Sequence, residues 1–215
     1  MFKKHYVKEK QSNNLKKYNR MKIDIILCGV GGQGILSIAA AIGATALNNK
    51  LNLKQSETHG MSQRGGAVVS HLRISDKTIY SDLIPEGKAD LILSVEPMEA
   101  LRYLPFLSPE GYVVTNITPF VNIPNYPDKE KILQKLSELP KVVTIDSDAI
   151  ATQVSSKRSS NMVMLGAAAP FLKLNYETFE DGIRQIFERK GKEVVDTNIA
   201  AFKAGYEFAV KNKKG

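Results

Sequence analysis

Cysteine is nearly absent from this sequence: Cys28 stands alone, and there is no tryptophan at all. One thiol closes no disulfide framework and cannot supply the several thiolates of a zinc or iron–sulfur site. The chain therefore reads as a cytoplasmic protein from a reducing compartment, with Cys28 a small core hydrophobe. An uninterrupted membrane span is missing as well. The apolar stretch from Ile23 to Leu47 is broken by Asp24 and crowded by Gly29, Gly31, Gly32 and Gly34, and the basic stretch before it is long for the charged region of an export signal. Acids are scarce only at one end. Of a net charge of +8, residues 1–20 carry +6, from six lysines and Arg20 against the single acid Glu9. A nucleic-acid binder needs its basic stripe on the folded part. The excess charge instead marks a basic leader, expected to be disordered or to precede a start at Met21.

What is present is an ordinary globular composition, 43% apolar and 24% charged over 215 residues, enough for one domain across residues 21–215. Short apolar runs alternate with longer amphipathic ones, which is the pattern of an α/β fold. Strands are expected at 22–28, 67–74, 89–95, 111–115 and 142–146, and helices at 33–48, 97–104 and 129–139. Ser147 is the expected cap of a further helix. The turn Ser75-Asp76-Lys77 is expected to lead into a hairpin strand at Thr78–Tyr80, whereas residues 51–56 make a poor strand. Prolines at 119, 124 and 127 make 117–128 a loop. Two helical stripes close the chain: Phe179, Ile183, Ile186 and Phe187, then Val195, Ile199, Phe202, Tyr206 and Ala209.

Two segments concentrate chemistry. Gly29-Val30-Gly31-Gly32-Gln33-Gly34 follows an apolar strand and opens a helix, the context in which a glycine-rich turn lets backbone approach a phosphate and aims helix N–H groups at it. A dinucleotide site also wants an acid about 20 residues on, and Glu57 is the one candidate. A tight strand-to-helix turn without any ligand satisfies the same pattern. The second segment, Glu57 to Gly66 (ETHGMSQRGG), gathers His59, Gln63 and Arg64 between glycines just before a buried strand. Arg64 and His59 can meet a phosphate or carboxylate, and Gly65 and Gly66 permit close backbone approach. Solvated turn residues are the plain alternative. Glu96 and Glu99 are accounted for by a helix start, and no Ser-His-Asp set or metal-ligand spacing appears.

Taken together, GVGGQG at 29–34, ETHGMSQRGGAVVSHLRI at 57–74 and SDLIPEGKADLILSVEPMEALRYL at 81–104 resemble the gamma subunit or domain of the 2-oxoacid:acceptor oxidoreductases. LIPEGKAD followed by EPMEALR is nearest the indolepyruvate branch of that family, ahead of the pyruvate and 2-oxoglutarate branches. The resemblance covers residues 21–215. It implies a single-domain α/β fold, Rossmann-like, with a mixed, mostly parallel sheet flanked by helices. It also implies oxidative decarboxylation of an aryl 2-oxoacid with coenzyme A to acyl-CoA and carbon dioxide, with electrons passing to ferredoxin. Thiamine diphosphate and iron–sulfur clusters would then sit on a larger partner subunit, because one cysteine and no Gly-Asp-Gly segment leave neither with a place here; the chain alone would bind no cofactor, no metal and no nucleic acid, and be inactive. Carried over residue by residue, the family's glycine turn is Gly29, Gly31, Gly32 and Gly34 with Gln33, and its polar loop is His59, Gln63 and Arg64, bounded by Glu57, Gly65 and Gly66. A stand-alone NAD-binding dehydrogenase or sensor is the competing reading.

Overall fold

The computed structural model describes residues 21–60, 65–121, 123–154 and 156–213; the basic leader, Gln63 and Arg64 lie outside the described residues. The strand β1 (Lys22–Val30) is buried along all but its first residue, as a central strand must be. It is followed by α1 (Ile35–Asn48), β2 (Asn52–His59), β3 (Ala67–Ser75), β4 (Ala89–Ser94), α2 (Pro97–Arg102), β5 (Leu107–Asn116), α3 (Lys129–Ser137), β6 (Val142–Ile145), α4 (Ser147–Val154), α5 (Ser160–Ala168), α6 (Tyr176–Phe187) and α7 (Lys192–Asn212). The six strands form one sheet in the order β2-β3-β1-β4-β5-β6. β1, β4, β5 and β6 run parallel, β3 runs against β1, and β2 against β3.

Side-chain alternation decides which layer each residue joins. Ile23, Ile25 and Leu27 face the larger core with Val68, Leu72 and Ile74, against α1 and α4–α7. Ile26 and Cys28 face the smaller one with Val69, Ile92 and Val113, against α2 and α3. Phe179 and Phe202, the largest fully buried side chains, stack at 5.3 Å between centroids where α6 meets α7. Burying a side chain of this size is worth roughly 1.5–3 kcal/mol. Helix α5 is buried almost throughout, and its contact with α7 is backbone to backbone: a Cβ on Gly166 would fall 1.9 Å from the Phe202 carbonyl oxygen, and one on Gly205 would fall 2.0 Å from that of Val163.

Three expectations need correction. No strand forms at Thr78–Tyr80, because both edges of β3 are already taken, by β1 and by β2. The poor-looking run after Leu51 is β2, an edge strand paired on one side only, whose exposure accounts for its polar composition. The cap of α4 is Asp146, whose Oδ1 accepts from the Ala149 N–H at 2.9 Å, while Ser147 is the first residue inside the helix. The buried helix α5 gave no signal, since a helix apolar all round shows no amphipathic period.

Candidate functional site

The chain leaves β1 toward one side of the sheet and β4 toward the other. A crevice therefore opens where the C-terminal ends of these neighbouring parallel strands diverge, the place where open α/β sheets receive ligands. Both segments singled out in the sequence have residues at this edge. The turn after β1 is tied down by Gln33: its Oε1 accepts from the Val30 N–H at 2.8 Å, and its Nε2 donates to the Val95 carbonyl at 3.3 Å, stapling β1 to β4. Gly34 has φ of +82° and so favours glycine; a Cβ there would also fall 2.6 Å from Asn161 Nδ2. The helix then begins at Ile35, two residues later than the sequence suggests.

Glu57 and His59, expected in a loop, lie within β2, opposite Ser70 and Val68 of β3, and the hairpin is closed by the Gly60 N–H donating to the Ala67 carbonyl at 2.8 Å. It is joined to the glycine turn directly, through the Gly31 N–H donating to the Gly66 carbonyl at 2.9 Å. His59 Nε2 pairs with the Glu57 carboxylate, and His59 lines a recess of about 280 Å³ together with Gly31, Gly32, Leu36 and Val68. Glu57, His59 and the glycines are thus brought to one edge. In a dinucleotide-binding fold the acid ends the strand beside β1. Here β3 occupies that place, and Glu57 stands one strand further out, paired with His59.

On the other side of the glycine turn lies a cleft of about 310 Å³, lined by Gln33, Asn116, Thr118, Phe120, Lys157 and Asn161 among others. Its rim is built on a residue that the sequence reading assigned to a helix start. Glu96, fully buried, caps α2 by accepting from the Glu99 N–H at 2.9 Å, but it also accepts from the Phe120 N–H at 3.3 Å and from the Tyr126 hydroxyl. One carboxylate therefore anchors the proline-rich segment 117–126 at two points. Burial holds the Glu99 carboxyl above its ordinary value despite Arg102 at 3.0 Å. Burial likewise raises the Cys28 thiol and the Tyr126 phenol, the latter helped by its bond to Glu96. Cys28 is thus an inert core thiol. Among the described residues no group of three or more His, Cys, Asp or Glu side chains is placed to hold a metal ion, and no helix is long and apolar enough to cross a membrane.

Four parallel strands, with an antiparallel hairpin added beside the first of them, define a mixed-sheet α/β domain. The comparisons narrow that class. The family model described as pyruvate ferredoxin/flavodoxin oxidoreductase matches residues 24–208, and the chain belongs to that family. Indolepyruvate oxidoreductase subunit IorB of Methanothermobacter thermautotrophicus is 38% identical over 201 residues, covering 89% of this chain and 100% of its own length; its counterpart in Archaeoglobus fulgidus is 36% identical over 202 residues, covering 90% and 98%. Among solved structures, the pyruvate oxidoreductase subunit PORC of Thermotoga maritima shares the fold at a TM-score of 0.66 and 23% identity, over 87% of this chain and 96% of that one. The 2-oxoglutarate:ferredoxin oxidoreductase of Magnetococcus marinus, solved with 2-oxoglutarate, coenzyme A and succinyl-CoA, does so at 0.71 and 24%, over 91% of this chain but 32% of that one.

Proposed function

We infer that the chain is the small subunit of an indolepyruvate ferredoxin oxidoreductase. The observation that carries this reading is identity of 35–38% to four indolepyruvate oxidoreductase subunits over about nine-tenths of this chain. Identity to a 2-oxoglutarate synthase subunit and to gamma subunits shared by pyruvate and ketoisovalerate oxidoreductases is lower, at 26–29%. The reaction cleaves the bond between the carboxyl and keto carbons of an aryl 2-oxoacid, releases carbon dioxide, joins the acyl carbon to the sulfur of coenzyme A and passes two electrons to ferredoxin. The residues of this chain do not fit the electron carriers: Cys28 is the sole thiol and is buried. A larger partner subunit carries the thiamine diphosphate and the clusters.

The part left to this chain is binding and positioning. The C-terminal sheet edge meets the partner's active site, with His59, Gln63 and Arg64 directed to substrate or to the acyl acceptor and the glycine turn fixing their approach. The displaced position of Glu57 argues against the stand-alone NAD-binding alternative.

Reconstitution tests the reading. The purified chain is expected to be colourless and without turnover on indolepyruvate, coenzyme A and an acceptor, and activity should appear when the cluster-bearing subunit is added. Turnover by the chain alone overturns it. In the reconstituted enzyme, Arg64→Ala and Arg64→Lys should each lower turnover by about tenfold or raise the KM for coenzyme A to match, since lysine keeps the charge but loses the planar fork of donors. Wild-type kinetics in both variants would remove Arg64 from the site.

A further inference from the structure

Gln33 stands between the two halves of the C-terminal edge and is bonded to both. Its Oε1 accepts from the N–H of Val30, the last residue of β1, at 2.8 Å, and its Nε2 donates to the carbonyl of Val95, just past the end of β4, at 3.3 Å. Gly29 keeps open the space this requires: a Cβ there would fall 2.3 Å from Val95 Cγ2 and 3.1 Å from Gln33 Oε1. The first glycine of the turn therefore makes room for two side chains of the protein itself. On the hairpin side the contacts continue from the same point. Val30 is paired with Ala67 at the end of the β1–β3 ladder, the Ala67 carbonyl accepts from the Gly60 N–H at 2.8 Å, and Gly60 directly follows His59. Val30 also lines the recess that His59 borders. On the other side, Val95 precedes Glu96, the carboxylate that holds Phe120 and Tyr126, and Gln33 itself lines that cleft.

We propose that Gln33 is a positioning residue that acts through His59: it fixes the end of the β2–β3 hairpin against β4, and it does so without touching a ligand. Glutamine suits the task because one side chain must accept from one strand end and donate to the other. A functional side chain on a strand end needs such support to hold its geometry. The effect on turnover rests on the reading of the chain as an oxidoreductase subunit, whereas the effect on His59 does not.

The test begins with the full chain alone. The sequence holds three histidines, His5, His59 and His71, whose ring signals in NMR spectra are assigned by substitution. His71, packed edge-on against Phe106 at 5.5 Å between centroids, reports whether the fold is intact. Gln33→Met keeps the length and loses both bonds; Gln33→Glu keeps an acceptor for Val30 but, when ionised, has no donor for Val95. In both, the His59 signals should shift or broaden while those of His71 stay in place. Should Gln33→Met also displace His71, Gln33→Glu decides by itself. Wild-type His59 signals in either folded variant overturn the proposal. In the reconstituted enzyme, Gln33→Met should lower kcat by about tenfold with the KM for indolepyruvate held within about twofold. A rise confined to KM would mark direct ligand contact and overturn it as well. In a His59→Ala background the same substitution should cost less than about twofold more, since nothing is left to position; losses that multiply contradict the proposal. If His59→Ala alone keeps wild-type turnover, it is the placement of His59 at the working site that fails, and the ring signals of the free chain still decide whether Gln33 positions it.

Discussion

The two ends of the sheet treat a buried carboxylate in opposite ways. At the N-terminal end of β1, Asp24 is buried but compensated: Arg73 Nε and Nη2 donate to it at 2.8 and 3.1 Å, and Lys22 Nζ stands 2.7 Å away. Arg73 also donates to the carbonyls of Ser81 and Leu83, so one guanidinium closes the turn after β3. At the C-terminal end of β4, Glu96 receives its hydrogen bonds from two backbone N–H groups and a phenol, and no cation within ion-pair distance of it appears among the described residues. Charge pairing fixes the end that has only to be stable. Neutral donors fix the end that presents a cleft.

Removing the compensation is the strongest test of this contrast. Arg73→Ala leaves Asp24 buried with only the exposed Lys22 beside it, and urea unfolding should show a loss of about 3 kcal/mol, because breaking a buried pair strands its partner. Arg73→Ala/Asp24→Asn should recover part of that loss. Glu96→Ala removes a helix cap and two anchors of segment 117–126 and should cost about 2 kcal/mol. Unlike the Arg73 change, it should also lower activity of the assembled enzyme per folded molecule. Equal effects on activity from both would erase the distinction.

The pH dependence sharpens the comparison further. Burial raises the Glu99 carboxyl above its ordinary 4.5, so the native state keeps a proton that the unfolded chain has lost; stability should fall as pH rises from 4.5 through the raised value, and Glu99→Gln should abolish that slope. His71 shifts the other way. Its Nδ1 accepts from the Ile84 N–H at 3.1 Å, and burial lowers its affinity for a proton below the ordinary 6.5. Stability should therefore be complete above pH 6.5 and decline as pH falls below it, a slope that His71→Gln removes. Unfolding midpoints of the two variants across this range check both signs. The smallest effect belongs to Lys141→Ala at the exposed Glu110 pair, where no shift in the midpoint is expected.

The central strands were legible because burial on both faces leaves an apolar run, as in β1 and β4, and the glycine turn because its spacing has a geometric cause. Edges were harder. β2 reads as polar because half of its surroundings are water, and α5 reads as nothing because, past its first two residues, none of its are. The role of Glu96 was invisible for a different reason: a helix start accounts for an acid there, and its bonds to Phe120 and Tyr126 span 24 and 30 residues, a pairing no local pattern records. Asn161 likewise meets Gly34 across 127 residues. Glu57 and His59 were grouped by sequence in one loop with Gly65 and Gly66, but that the first two end strand β2, and that Gly66 attaches to the glycine turn, required the fold.

The claim that the C-terminal edge is the working end is tested most directly by hydrogen–deuterium exchange of the full chain with and without the cluster-bearing subunit. The account predicts new protection at 29–34, 57–66 and 117–126, with 22–24 and 73–81 unchanged; protection confined to the Asp24–Arg73 end would contradict it.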